Sequence, residues 1–235
     1  MPAEADMEFK RYAIYYAPPV AADWSRFATR WLGWDMETGA GAPHPQVAGL
    51  PRPVAEITAT PRKYGLHATI KPPFRLAEGM TRDGLEAACA DLCATLAPLA
   101  FDGLVLSRLG RFLALRPSGD QTALSVLAAR AVEVLDRFRA PAPESELARR
   151  RAAGLSPAQE ENLLRWGYPY VMEEFRFHIT LTGKLAKGDL PAVEDALARD
   201  LGPLLPAPFA IPDLALMGED DTGRFHLIHR YALSG

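Results

Sequence analysis

Two short stretches of the chain repeat the pattern His-x-Thr in apolar, β-branched surroundings. They are His67-Ala68-Thr69 and His178-Ile179-Thr180. Side chains of an extended strand point alternately to opposite faces, so each histidine shares a face with the threonine two positions later. The residues between and around them are apolar and can enter a core on the other face. The repeat therefore predicts two similar buried strands, each with one polar face.

The same alternation adds two residues to the predicted polar site, and a third is added as a wall residue. Lys71 follows the first motif on the face of its histidine, and Arg176 precedes the second motif in the same way. Both cations are expected to offset the charge of a bound phosphate. Tyr64, three residues before the first histidine, is predicted to form a wall of the site.

Paired histidines are suited to acid/base chemistry. Imidazole has an unperturbed pKa of roughly 6.5, so one ring can accept a proton while the other donates one. A threonine hydroxyl is short and stiff, and it can donate a hydrogen bond to a phosphate oxygen. Hydrolysis of a phosphodiester needs both functions and in principle no metal or other cofactor. The alternative interpretation is that both histidines are satisfied residues of a packed core.

These motifs resemble those of the two-histidine (2H) phosphoesterase superfamily, which includes RNA ligase-like and cyclic phosphodiesterase enzymes. Longer segments are similar to a narrower branch, the uncharacterised proteins encoded with bacterial phosphonate-utilisation genes. These segments are residues 64–74, 166–171 and 175–183. The likeness extends nearly from end to end of the chain.

The resemblance implies an α+β fold of two pseudo-symmetric lobes, each a small, mainly antiparallel sheet backed by helices, around a shared central cleft. Residues 1–235 would form one such domain. His67 and His178 would be general acid and general base, in an order that the sequence leaves open. Thr69 and Thr180 would bind phosphoryl oxygens. The implied reaction is hydrolysis of a ribose cyclic phosphate, a nucleotide or an RNA end, with a role in phosphonate metabolism. The alternatives are a non-catalytic module that binds nucleotides or RNA ends and a ligase-like enzyme that forms a phosphodiester.

The composition of the chain limits the kinds of ligand and the cellular compartment that we expect for it. The net charge of −3 gives no general attraction to nucleic acid, so we expect a small phosphorylated ligand and no long nucleic-acid surface. The only two cysteines, Cys89 and Cys93, exclude a disulfide framework and suit a reducing cytoplasm. Residues 1–6 lack the order of a signal peptide, and no apolar run reaches the length of a membrane span. We expect a cytoplasmic bacterial protein without a membrane partner, and the oligomeric state stays open.

Two local predictions concern the surroundings of the motifs. The first motif strand is expected to end at Pro72-Pro73, because proline has no N–H to donate to a strand ladder. Residues 141–170 are expected to insert a helical hairpin before the second motif. Its arginine-rich first helix is interpreted as an ordinary solvated face. The alternative is a wall or lid that lends an arginine to the phosphate.

Overall fold

The computed structural model describes residues 8–235, which form an α+β fold. The strands are β1 Arg11–Tyr16, β2 Trp34–Asp35, β3 Ala40–Gly41, β4 Ala68–Phe74, β5 Leu99–Phe101, β6 Gly103–Leu109, β7 Phe112–Ser118, β8 Ile179–Thr180, β9 Phe209–Ile211, β10 Asp213–Glu219 and β11 Phe225–Ala232. The α-helices are α1 Asp23–Leu32, α2 Val54–Ile57, α3 Arg82–Cys93, α4 Thr122–Leu135, α5 Glu144–Arg151, α6 Pro157–Trp166 and α7 Leu190–Asp200. None of these helices is both long and apolar enough to cross a membrane.

The central sheet has seven strands in the order β11-β10-β1-β4-β8-β7-β6, and all neighbouring strands are antiparallel. The two motif strands, β4 and β8, lie side by side in its middle and are joined by the pair Ala68–Ile179. The sheet can be divided between these two strands. The first half, β11-β10-β1-β4, ends with the strand of the first motif, and the second half, β8-β7-β6, begins with the strand of the second motif. The predicted pair of mainly antiparallel lobes is confirmed, and the lobes share one continuous sheet.

Alternation along the motif strands buries one face of the sheet against the helices. Ile70 and Ile179 are 1% and 0% exposed and join a core that includes Leu85 of α3 and Leu135 of α4. Burying an aliphatic side chain of this size stabilises the fold by about 1.5–3 kcal/mol. Helix α1 is tied to the second motif strand because the indole Nε1 of Trp31 donates to the Leu181 carbonyl at 2.8 Å. The polar motif face is left on the side away from these helices.

Strand β4 does not end at Pro72 and Pro73, as predicted, but continues through them to Phe74. The prolines lie in an irregular part of the β1–β4 ladder, between the pairs Ile14–Lys71 and Tyr12–Phe74. A missing N–H breaks no regular pair at such a bulge, which is one of the few places where a strand accepts proline.

The two helices expected within 141–170 are present as α5 and α6. Helix α6 begins with a capping box, in which Ser156 and Gln159 satisfy each other's backbone N–H groups, and it ends at Gly167 with a φ of 72°. That these helices are an insertion into a single two-lobed domain stays a prediction.

Candidate active site

The register of β4 and β8 sets the four motif side chains in a compact square, which we call the His–Thr quartet. Extension of this register places His67 opposite Thr180 and Thr69 opposite His178, so each histidine faces the threonine of the other motif. Directly opposed Cβ atoms lie about 4.5–5.5 Å apart, and the diagonal that joins the two histidines spans about 7–8 Å. A phosphoryl group held between the threonines is then within reach of both rings.

Each imidazole ring is oriented by the carbonyl two residues before it. Nδ1 of His67 lies 3.1 Å from the Gly65 oxygen, and Nδ1 of His178 lies 2.7 Å from the Arg176 oxygen. Because a carbonyl oxygen only accepts hydrogen bonds, Nδ1 carries the hydrogen in both neutral rings. Nε2 of each ring is therefore left unprotonated and can accept a proton, or donate one once the ring is charged.

Gly65 is required by this arrangement. Its φ of 67° lies in the left-handed region, and an added Cβ would come within 2.3 Å of Cγ of Met36. The glycine therefore allows the turn that aims its carbonyl at His67.

Two tyrosines pack against the first histidine. The Tyr15 ring stacks on the His67 ring with centroids 4.0 Å apart, and the Tyr64 ring lies at 5.9 Å. Tyr64 lines the same cavity as His67, at the place predicted for a wall residue, and its contact with substrate stays a prediction. Tyr15 was missed because the sequence identifies its strand as aromatic but not which face of that strand meets the motifs.

Burial favours the neutral form of both histidines. Burial lowers the pKa of His67 to about 4, although the Gly65 carbonyl opposes the shift, and the neighbouring His178 lowers this pKa further. Burial also lowers the pKa of His178, against its carbonyl bond and with help from the charge of Arg116. One ring must therefore gain a proton before it can act as an acid. A bound anion favours that charged form and raises the pKa.

The low pKa of His67 predicts a pH-dependent stability. Between pH 6.5 and about 4 the unfolded chain binds a proton at this residue and the native protein does not, so the free energy of unfolding falls as the pH falls. The loss through this window is up to about 3 kcal/mol. Urea unfolding at pH 7 and pH 4.5 should show a smaller loss for His67→Gln than for the wild type. Equal losses in the two proteins would contradict the shifted pKa.

Arg116 is a site residue that the sequence did not indicate. The β7–β8 register pairs Ala114 with Thr180 and thereby places Arg116 opposite His178. Its Nε is buried and has no hydrogen-bond partner among residues 8–235. A buried donor without a partner calls for a ligand or solvent atom, and Arg116 is near enough to His178 for its charge to lower the pKa of that ring. The sequence did not indicate Arg116 because its place opposite His178 depends on the β7–β8 register and on the extension of β7 to Ser118.

A cavity of about 910 Å³ opens in front of the quartet. His67, Thr69 and Thr180 line it. His178 lies beside it, with its ring centroid 5.8 Å from that of Phe112, which does line the cavity. Within the described part of the chain, no group of three or more His, Cys, Asp and Glu side chains is arranged to hold a metal ion.

The cavity lining is strongly cationic, although the chain as a whole carries a net charge of −3. One carboxylate, Glu146, faces six cationic side chains. The cations are Arg11, Lys63, Arg75, Arg149, Arg150 and Lys184. Positive charge concentrated in a concave surface raises the local concentration of anions. The arrangement thus suits an anionic ligand of modest size.

Lys71 does not point into this cavity, and the prediction from alternation is wrong. Tyr15 pairs with Thr69 and Ile14 with Lys71, so a bulge at Ile70 turns the lysine to the helix face. There Lys71 is 1% exposed, and its Nζ lies 3.3 Å from Oδ1 of Asp136. Burial lowers the pKa of Lys71 to about 8 against the opposing effect of Asp136.

Arg176 also differs from its predicted placement. Its guanidinium is exposed and donates to the carbonyls of Glu173 and Phe175, both at 2.7 Å, and it does not line the cavity. The single helical turn over Met172–Glu174 directly precedes it and brings these carbonyls within reach. Arg176 supports the site through its backbone carbonyl, which orients His178.

Helix α5 forms a wall of the cavity, and none of its residues is buried, so its interpretation as an ordinary solvated face stays a prediction. Ser145, Glu146, Arg149 and Arg150 line the cavity. Arg151, the next residue, lies outside the lining and is ion-paired with glutamates of α5 and α6. The sequence of α5 shows that the helix is rich in arginine, but it does not show that the helix lies beside the cavity.

Comparison with known proteins gives the chain a family. The model described as "Protein of unknown function (DUF1045)" matches residues 69–226, and the chain belongs to that family. This match contains the quartet residues Thr69, His178 and Thr180.

Two relatives are each named ribose 1,5-bisphosphate phosphokinase PhnN. The chain is 39% identical over 184 residues to the protein of Janthinobacterium sp. (strain Marseille). This alignment covers 78% of this chain and 41% of the relative. The chain is 35% identical over 213 residues to the protein of Laribacter hongkongensis (strain HLHK9), covering 91% and 49%. The chain thus spans less than half the length of either relative. Among solved structures, E. coli LigT complexed with NADP+ is 14% identical, with 97% of this chain and 100% of that chain covered and a TM-score of 0.46.

Proposed function

We propose that the protein is a phosphodiesterase of the two-histidine type, which hydrolyses a cyclic or small phosphodiester without a metal ion. The observation that carries the proposal is the pair of oriented imidazoles. His67 and His178 both bond a carbonyl through Nδ1 and leave Nε2 free, on adjacent strands and beside the two motif threonines. Two core histidines would have no need of matching orientation or of a cationic cavity.

The proposed reaction follows from this geometry. The hydroxyls of Thr69 and Thr180 donate to the non-bridging oxygens of the phosphodiester. Nε2 of one histidine takes a proton from water as the water oxygen forms a bond to phosphorus. The bond from phosphorus to the ribose oxygen breaks, and Nε2 of the other, protonated histidine gives that oxygen a proton. The near-two-fold arrangement gives both rings the same chemistry, so the side on which the leaving oxygen lies decides which ring is the acid.

Charge around the cavity supports the same substrate class. Burial lowers the pKa of His178, and a bound anion near that ring would raise this pKa and favour the protonated form. Arg116 would bind and stabilise the phosphoryl oxygens through the Nε that has no partner among the described residues. Tyr64 would pack against the sugar or base as a wall of the cavity.

The relatives' names support a phosphorylated ribose as substrate and a role in phosphonate metabolism. The chain has no Walker-type glycine loop of the kind that binds the phosphates of a nucleotide in many kinases. We place the kinase activity that these names describe in the part of the relatives that this chain does not cover.

The test is turnover by purified protein in the presence of EDTA. The panel contains 2′,3′-cyclic nucleotides, ribose cyclic phosphates and short 2′,5′-linked oligonucleotides. We expect hydrolysis of at least one cyclic phosphodiester at a rate that EDTA leaves unchanged. Tight binding without product would instead support a nucleotide-binding module, and formation of a phosphodiester from the cleaved ends would support a ligase-like enzyme.

A further inference from the structure

The cavity holds more positive charge than one phosphodiester requires. A cyclic phosphodiester carries a single negative charge, and the quartet and Arg116 already provide donors for it. A separate group of cations lies on the wall formed by α5 and by the segment that leads into β4. It consists of Lys63, Arg149 and Arg150, which all line the cavity.

We infer that Lys63, Arg149 and Arg150 form a second anion subsite, which binds a further phosphate group of the substrate. The inference rests on the proposed function and deepens it. The substrate class that it names is a ribose with a cyclic phosphodiester at one end and a phosphate monoester at the other.

Arg150 is held in place but not saturated. Its Nη2 donates to Glu146 at 2.8 Å, and the guanidinium carbon lies 4.5 Å from the centre of the Tyr168 ring. Its Nε is buried and has no hydrogen-bond partner within residues 8–235. A fixed guanidinium with a spare donor matches the geometry in which arginine binds phosphate.

The other two cations of the subsite are free to reach a ligand. Arg149 is exposed on the cavity side of α5, and the Lys63 Nζ lies 4.8 Å from the centre of the Tyr64 ring. Neither forms an ion pair with a carboxylate of the described chain, whereas Arg150 and Arg151 pair with Glu146 and Glu160 respectively. Exposed cations without partners keep their full charge for an incoming monoester, which carries about −1.5 to −2 at neutral pH.

Helix α5 lies near the end of strand β1 that is away from the quartet. Tyr15 pairs with Thr69 of the quartet, and Arg11 lies four residues further along the same strand, about 13 Å away at roughly 3.3 Å per residue. Helix α5 lies at the Arg11 end, since Glu146 is 3.6 Å from the guanidinium of Arg75, another residue of that end. Arg149, Arg150 and three residues of the quartet line one cavity of about 910 Å³, a volume typical of a pocket for a small ligand.

The experiment compares two substrates that differ by one group: adenosine 2′,3′-cyclic phosphate with and without a 5′-phosphate. For the wild type, kcat/KM should be at least about 10-fold higher with the 5′-phosphate, since hydrogen bonds between charged groups are among the strongest in proteins. Arg149→Ala should remove most of this preference, because it should lower kcat/KM for the substrate with the 5′-phosphate much more than for the substrate without it. Arg151→Ala is the matched control, on the same helix but outside the cavity lining, and it should keep the preference.

Failure of this inference can be told apart from failure of the proposed function. Equal kcat/KM for both substrates would overturn the second subsite and leave the phosphodiesterase intact. If neither substrate is hydrolysed, calorimetry with adenosine 2′,5′-bisphosphate and adenosine 2′-phosphate tests the subsite by binding alone. Binding of the bisphosphate at least about 10-fold tighter, lost in Arg149→Ala, would support the subsite. Equal affinities would overturn it.

Discussion

His67→Ala and His178→Ala should each lower kcat for a cyclic phosphodiester by at least about 100-fold, because general acid or base catalysis by one positioned group contributes about 10²–10⁴. Each substitution removes one of the two free Nε2 atoms and leaves the other histidine and both threonines in place. The double variant should lose little more than the worse single variant, since the two rings act as a unit in the same hydrolysis reaction and their effects are not additive. Initial rates at saturating substrate measure the effect.

His229→Ala is the matched control for these variants. This histidine lies on β11 at the edge of the sheet, is exposed and does not line the cavity. Its removal should leave kcat within about two-fold of the wild type, since surface substitutions away from a site change little. Full activity in either His67→Ala or His178→Ala would show that the catalytic residues have been assigned wrongly.

Asp136→Ala should lower the free energy of unfolding by about 3 kcal/mol, because it leaves the buried Lys71 without its carboxylate partner. The Lys71 Nζ then retains the Val132 carbonyl at 3.2 Å as its acceptor. Asp136 also accepts from Arg139 at 2.7 Å, so its removal frees a second cation. Urea unfolding at pH 7 measures the change.

Lys71→Met distinguishes this structural role from the phosphate contact predicted by alternation. Methionine fills a similar volume without charge, so the variant should fold and keep kcat/KM within about three-fold of the wild type. Introduced together with Asp136→Ala, it should recover part of the lost stability, because no buried charge is then left unpaired. A loss of kcat/KM of about 10-fold or more in Lys71→Met would show that the lysine serves the substrate after all.

The motif strands are the part of this protein that local sequence determines most directly. Alternation at His178, Ile179 and Thr180 requires only an extended backbone, and burial follows it there: Ile179 is 0% exposed, while the polar residues on either side are partly exposed. The same alternation fails at Lys71 because a bulge depends on how β1 pairs with β4, and that pairing joins residues more than 50 positions apart. The alternation of side chains along a strand depends only on neighbouring residues. The register between two strands depends on residues that are far apart in the sequence.

The sequence by itself determined the two His–Thr motifs, their apolar backing and the presence of helices α5 and α6, since each depends on periodicity and capping within a few residues. Only the tertiary structure decided which cations surround the quartet. Arg116 lies beside His178 through the β7–β8 register, and Arg149 lines the same cavity as the quartet because α5 forms one of its walls. The physical reason is that charge attracts a ligand through space, and the positions that share one cavity are set by long-range packing, which the order of residues along the chain does not show.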